Sequence, residues 1–171
     1  MPRLKPYDLS NVTETDLAYL AGFIDGEGCF FIGNYMTKSK TTGNQYRNYH
    51  CMIKTANNNL EVLDWIKNTF GGQNTKFNKL NKGQNANFIT HSHHFTGNLL
   101  TDITQMLLPY LIVKKHHAKV MLTMRATFPR SGSSGSAKPA LPILKIRENC
   151  HREMHRLNSR FKNHPLKADL Y

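Results

Sequence analysis

Nine residues, Leu20-Ala21-Gly22-Phe23-Ile24-Asp25-Gly26-Glu27-Gly28, place two carboxylates at the finish of an amphipathic helix. Thr13 is a good N-cap, and Glu14 and Asp16 stand in the first turn, where acids suit the helix dipole. Leu17, Leu20 and Ile24 then form one apolar stripe that runs to about Asp25. Asp25 and Glu27 sit at the wrong end, where unsatisfied carbonyls carry roughly half a negative charge. A helix that only has to stop takes Gly there, with a Lys nearby. Converging negative charge is tolerable around a cation, and Mg²⁺ takes one or two carboxylates with oxygen and water ligands. The segment reads as a metal site, against the plainer reading of Asp-Gly-Glu-Gly as a turn. Ala18, Ala21 and Gly22 make a second helix face of very small residues. Gly inside a helix costs up to about 1 kcal/mol relative to Ala. Close approach of another helix through this face is the expected compensation.

The chain has 171 residues, enough for one cored domain or one domain with an appendage. Lys and Arg outnumber Asp and Glu by 23 to 11. The excess is concentrated: no acid occurs from Gly28 to Leu60, and Asp102 is the only one between Trp65 and Arg147. Acid-free tracts carrying Lys, Arg, Tyr, Asn and Thr point to a nucleic-acid surface, ahead of a membrane surface or plain solubility. Three unclustered cysteines argue against a disulfide framework and suit a reducing interior. No apolar run is long enough to span a bilayer, so no membrane partner is expected. No targeting signal is evident, which points to an intracellular site of action, in an organelle or a bacterial or phage cytoplasm.

The spacing predicts strands over 29–36 and 46–55, joined by a polar connection. In the second, Tyr49, Cys51 and Ile53 alternate with polar neighbours. Asn57 or Asn58 is expected to cap a helix carrying Leu60, Leu63, Ile66 and Phe70, ended by Gly71-Gly72. Weaker strands are expected over 75–80 and 86–91. Helices follow near 97–108, broken at Pro109, and over 116–127. Residues 1–129 form the expected core, 130–139 a Ser/Gly-rich linker, and 140–171 a C-terminal amphipathic extension. Its stripe is Ile143, Ile146, Cys150, Met154, Leu157 and Phe161, with Arg152, Arg156 and Arg160 on another face. The sequence shows no internal repeat.

This α-β-β-α-β-β-α order, an α+β class, resembles the LAGLIDADG homing endonucleases, and Leu20–Gly28 matches their signature nearly position for position. The resemblance spans about residues 13–128 and implies a concave antiparallel sheet that binds DNA. With one motif copy, the chain is similar to the subgroup acting as homodimers. Cutting both strands needs two acid sets, and a two-fold dimer packed through Ala18, Ala21 and Gly22 supplies the second.

The resemblance makes Glu27 the metal-binding carboxylate and the Gly26 carbonyl a second ligand. Most relatives have Asp where this chain has Glu27. Asp25 is expected to brace the helix end by local hydrogen bonds. Mg²⁺ is the implied ion, with Mn²⁺ or Ca²⁺ able to substitute for binding, and no small-molecule cofactor is implied. Lys114 or Lys115, with Lys114 favoured, stands where the family often has a base polarising the active-site water. Thr55 and Asn59 fall where relatives carry further polar catalytic side chains, although their residue types differ. Base-reading candidates on the open sheet face are Tyr35, Asn48, His50, Lys54, Lys76, Asn78, Asn87 and His91. Arg147, Arg152, Arg156 and Arg160 read as phosphate contacts or solvated charge. The runs His91-Ser92-His93-His94 and His116-His117 lack the Cys pair of a zinc finger. Cys29 has no neighbouring His to activate it as a nucleophile. The implied function is site-specific, metal-dependent cleavage of double-stranded DNA, of the intron-homing type. An RNA-binding intron maturase and a non-cleaving DNA-binding regulator are the alternatives on the same fold.

Overall fold

Thr13 starts the first helix with a reciprocal cap. Its Oγ1 accepts from the Asp16 amide at 3.2 Å, while the Asp16 carboxylate accepts from the Thr13 amide at 3.0 Å. Two of the helix's orphan donors are satisfied this way. The computed structural model describes residues 7–38, 43–79, 88–128 and 139–160, with backbone alone at 77–79, 88–90 and 160. Asn87, most of the expected linker and Phe161 lie outside the described residues.

Among the described residues the order is α1 (Glu14–Glu27), β1 (Gly28–Lys38), β2 (Gln45–Asn57), α2 (Leu60–Phe70), β3 (Gln73–Lys79), β4 (Phe88–Phe95), α3 (Gly97–Leu107), α4 (Lys115–Arg125) and α5 (Leu141–Arg160). The strands form one antiparallel sheet in the order β1-β2-β4-β3. Its pairing fixes which side chains share a face. Phe30 pairs with Ile53 and Ile32 with Cys51, while Ile53 and Thr55 pair onward with Phe95 and His93. All seven are buried, and this face receives α1, α2 and α3. Leu20, Ile24, Leu63, Ile66, Phe70, Leu100, Ile103 and Leu107 fill the helix side completely. Each such side chain contributes roughly 1.5–3 kcal/mol.

The start of α2 and the end of β4 differ from expectation. Asn59, not Asn57 or Asn58, caps α2, because β2 runs on through Asn57 to pair with His91. Gly71 then ends α2 at φ +79°, a conformation that favours glycine. The fourth strand runs to Phe95 rather than stopping at His91, because burial of His93 and Phe95 extends its alternation.

The C-terminal helix packs on α4 and β1 through Cys150, Met154 and Leu157. Ile146, expected on that stripe, is 41% exposed, and Arg147 is buried in its place. The Arg147 guanidinium sits 4.0 Å above the Phe128 ring and donates to Thr127 Oγ1 at 2.9 Å and Thr127 O at 2.7 Å. Two hydrogen bonds and a ring face let this charge turn inward. Arg147 is therefore a packing residue and not a phosphate contact. Glu148 ties the same helix to β2, accepting from Tyr49 Oη at 2.5 Å and from Arg47 at 2.9 Å.

Candidate active site

Asp25 has a clamping role. Its Oδ2 accepts from the amides of Ile112 at 2.8 Å and Val113 at 3.0 Å, and its Oδ1 accepts from the Lys114 amide at 2.8 Å. The Lys114 ammonium donates back to the Asp25 backbone carbonyl. The brace is tertiary rather than local, spanning 87 to 89 positions in sequence. Lys114 is the N-cap of α4 and makes no side-chain cap, and no acid stands in that helix's first turn. The carboxylate at the end of α1 supplies what the start of α4 lacks, and the ammonium meets the carbonyl end of α1.

With both oxygens engaged, Asp25 is not placed to ligate an ion. Glu27, the last residue of α1, differs. It is exposed, and its carboxylate forms no hydrogen bond with the described residues. The closing amide of the helix, that of Gly28, bonds to the Ile24 carbonyl, so the Gly26 carbonyl lies beyond the last intrahelical bond. One carboxylate and one carbonyl, completed by water and phosphate oxygens, fit a hard divalent cation. No group of three His, Cys, Asp or Glu gathers among the described residues to make a closed protein-only cage.

Lys114 and Asp25 border a cleft of about 620 Å³ at the free edge of β1. Burial pulls the Lys114 amine below its ordinary range, against the pull of Asp25, Cys29 and Glu27. The exposed Lys115 begins α4 and is not part of the cleft lining. Cys29 also lines it, and burial raises its thiol pKa, against the opposing charges of Lys114 and Lys54. A thiolate nucleophile is disfavoured there. The far wall belongs to α5, through Met154, His155, Asn158 and Ser159. Asn158 Nδ2 donates to the Phe30 carbonyl on the strand edge at 3.0 Å. Sequence reasoning missed this wall; its signal was the polar residues flanking the Cys150-Met154-Leu157 stripe.

Several expected site residues lie elsewhere. Thr55 is 1% exposed on the helix-covered face, and its hydroxyl has no hydrogen-bond partner among the described residues. Asn59 is occupied in capping α2, accepting from the Glu61 amide at 2.9 Å. Neither lines the cleft. The pairing puts Tyr35, Asn48, His50 and Lys54 on the helix-free face, Asn48 donating to Thr37 at 2.7 Å. His91 and Lys76 pair with each other and share the parity of His93, which is the helix side. The expected phase there was off by one residue, and one residue reverses a strand's faces. Asn78 pairs with Ile89. The helix-free positions of β3 and β4 include Thr75, Ser92 and His94, joined by bonds of 2.8 to 3.0 Å. This trio was legible only once the alternation extended through residue 94.

The small face of α1 divides too. Ala21 is fully buried within the chain, so it is not available to a partner helix. Ala18 and Gly22 are exposed, in line with Gly26 one turn later, and a Cβ at Gly22 or Gly26 would meet nothing within 4 Å among the described residues.

A family model described as LAGLIDADG endonuclease matches residues 20–126. Among solved structures, the homing endonuclease I-CvuI, in complex with its target in the presence of calcium, superposes with a TM-score of 0.59 at 19% identity, covering 84% of this chain and 82% of that one. The archaeal intron-encoded homing endonuclease I-Vdi141I, complexed with DNA, gives 0.61 at 18% identity, covering 84% of each chain. The LAGLIDADG homing endonuclease I-LtrWI, bound to target DNA, gives 0.56 at 18%, covering 84% of this chain and 46% of that one. No curated protein sequence matches the chain. The structural likenesses establish the fold; with the family match over the signature helix, the sheet and α4, the chain belongs to the LAGLIDADG endonuclease family, whose members are DNA-cleaving hydrolases.

Proposed function

We propose that this DNA endonuclease works as a homodimer on a long pseudo-palindromic duplex, with a divalent cation, Mg²⁺ first, held by Glu27 and the Gly26 carbonyl. The division of labour between two neighbouring carboxylates carries the reading. Asp25 is consumed by three amides, which leaves Glu27 at the same helix end exposed and without a hydrogen bond among the described residues. A bound Mg²⁺ would supply Lewis acidity at the scissile phosphate. Lys114, fixed through Asp25, hydrogen-bonds the attacking water and holds its proton, while α5 walls the cleft on the side away from α1. The helix-free sheet face, with Tyr35, Asn48, His50 and Lys54, lies along the major groove.

A single motif copy supports the two-fold arrangement, since each strand of a duplex needs its own acid set. This fold unit fills 82–84% of the I-CvuI and I-Vdi141I chains but only 46% of I-LtrWI, so relatives carry it both nearly alone and within a much longer chain. The intron-homing role rests on the likeness to I-Vdi141I, which is described as intron-encoded. The test is cleavage of a plasmid library carrying randomised inserts of about 20 base pairs, two helical turns. Linear product that appears only with Mg²⁺ and carries a recurrent symmetric sequence supports the reading. Binding without nicking, matched by Glu27→Gln, would point to a regulator; preference for structured intron RNA would point to a maturase.

A further inference from the structure

Phe31 borders the cleft, and from it a cluster of rings runs away from the cleft along the helix-free face. His50 stands opposite Gly33 in the β1–β2 ladder, and its ring lies 5.3 Å from Phe31 and 6.0 Å from Tyr35. Gly33 makes the room, because a Cβ there would come within 2.2 Å of the imidazole. Phe31 is 40% exposed and Tyr35 53%. Met52, opposite Phe31, extends the patch.

Surface like this gains by leaving water, at about 25 cal/mol per Å². Its surroundings determine the kind of partner. No acid occurs from Gly28 to Leu60, and Lys54 lies on the same face, so the partner is anionic. A duplex major groove presents hydrogen-bonding edges and a single apolar group, the C5-methyl of thymine. Rings that stack on unpaired bases need flat, open faces. Here the imidazole is tilted by 50° and 49° against its two neighbours, so the three rings do not form one flat platform.

We propose that Phe31, His50 and Tyr35 form a thymine-methyl reader, so that each half-site of the target carries thymine at the step facing Gly33. The inference rests on the duplex-DNA reading above. The experiment selects bound sequences from a randomised duplex pool with Ca²⁺ in place of Mg²⁺, then rebuilds the selected duplex with deoxyuridine at the symmetric thymines. Loss of one methyl contact weakens binding about fourfold, and loss from both half-sites on the order of tenfold. Phe31→Ser, on the exposed face, should bind the two duplexes equally while keeping the wild-type circular dichroism. Undiminished wild-type binding to the deoxyuridine duplex, or selected sites lacking a symmetric thymine pair, overturns the reader while leaving duplex recognition intact. Enrichment only from a random single-stranded RNA pool overturns both.

Discussion

The Lys114 amide donates to the Asp25 carboxylate at 2.8 Å, and the Lys114 ammonium donates to the Asp25 backbone carbonyl. One residue pair therefore ties the end of α1 to the start of α4 in both directions. Opposite ends of two helix dipoles are satisfied together. The orientation of Glu27, two residues on, is inherited from this lock.

Replacing Glu27 by Gln should abolish cutting while DNA affinity persists or rises, because a charge repelling phosphate is removed. Lewis-acid stabilisation is worth several kcal/mol, so the loss should be on the order of 10²–10³-fold or more. Nicking and gel-shift measurements on one duplex separate the two effects. A fall in affinity that parallels the loss of cutting would make Glu27 structural.

On the proposed mechanism Lys114 should set a pH limb. Burial favours its neutral form below the ordinary lysine range, so the amine can hold a water proton at milder pH. Single-turnover cleavage should rise as pH approaches that lowered value from below. Arginine stays charged throughout, so Lys114→Arg should lose the limb with little change in binding. A retained limb assigns the proton to another group.

Gly22→Leu adds a side chain where no described residue lies within 4 Å of the new Cβ. The monomer should fold as before, and the two-fold contact should fail, giving monomers in sedimentation. A persistent dimer places the partner contact elsewhere.

His93 links stability to pH. Burial lowers its pKa from 6.5 to about 4, and its Nδ1 pairs with Asn74 Oδ1 at 2.6 Å. Between those values the unfolded chain binds the extra proton, so stability falls as pH drops from 6.5 to 4 and levels off below. The contribution is about 3 kcal/mol. Urea titrations should show His93→Gln less stable at pH 7 but shallower across that window. An unchanged slope rejects the assignment.

DNA affinity should drop steeply with salt. Six to ten phosphate contacts imply roughly 10³–10⁵-fold between 50 and 200 mM. A flat profile would remove the charge-based argument for the partner.

Local chemistry explains why so much was legible beforehand. The capped α1, the alternation of Tyr49, Cys51 and Ile53, the Gly71 stop and the break at Pro109 depend on residues within a few positions of one another. The signature segment is equally local, and so is the pairing of Glu27 with a helix end. Charge distribution needs no folding at all.

What the chain order could not contain is contact across distance. The partners of Asp25 lie at Ile112, Val113 and Lys114, and no spacing rule links positions 87 to 89 apart. The same holds for Arg147 over Phe128, and for the α5 wall of the cleft. His91 and Lys76 moved faces because strand phase is set by pairing to β2, where a single-residue shift inverts every side chain. Ala21 looked like a partner surface because smallness is visible in sequence, while the side of the helix that meets the chain's own core is decided by packing.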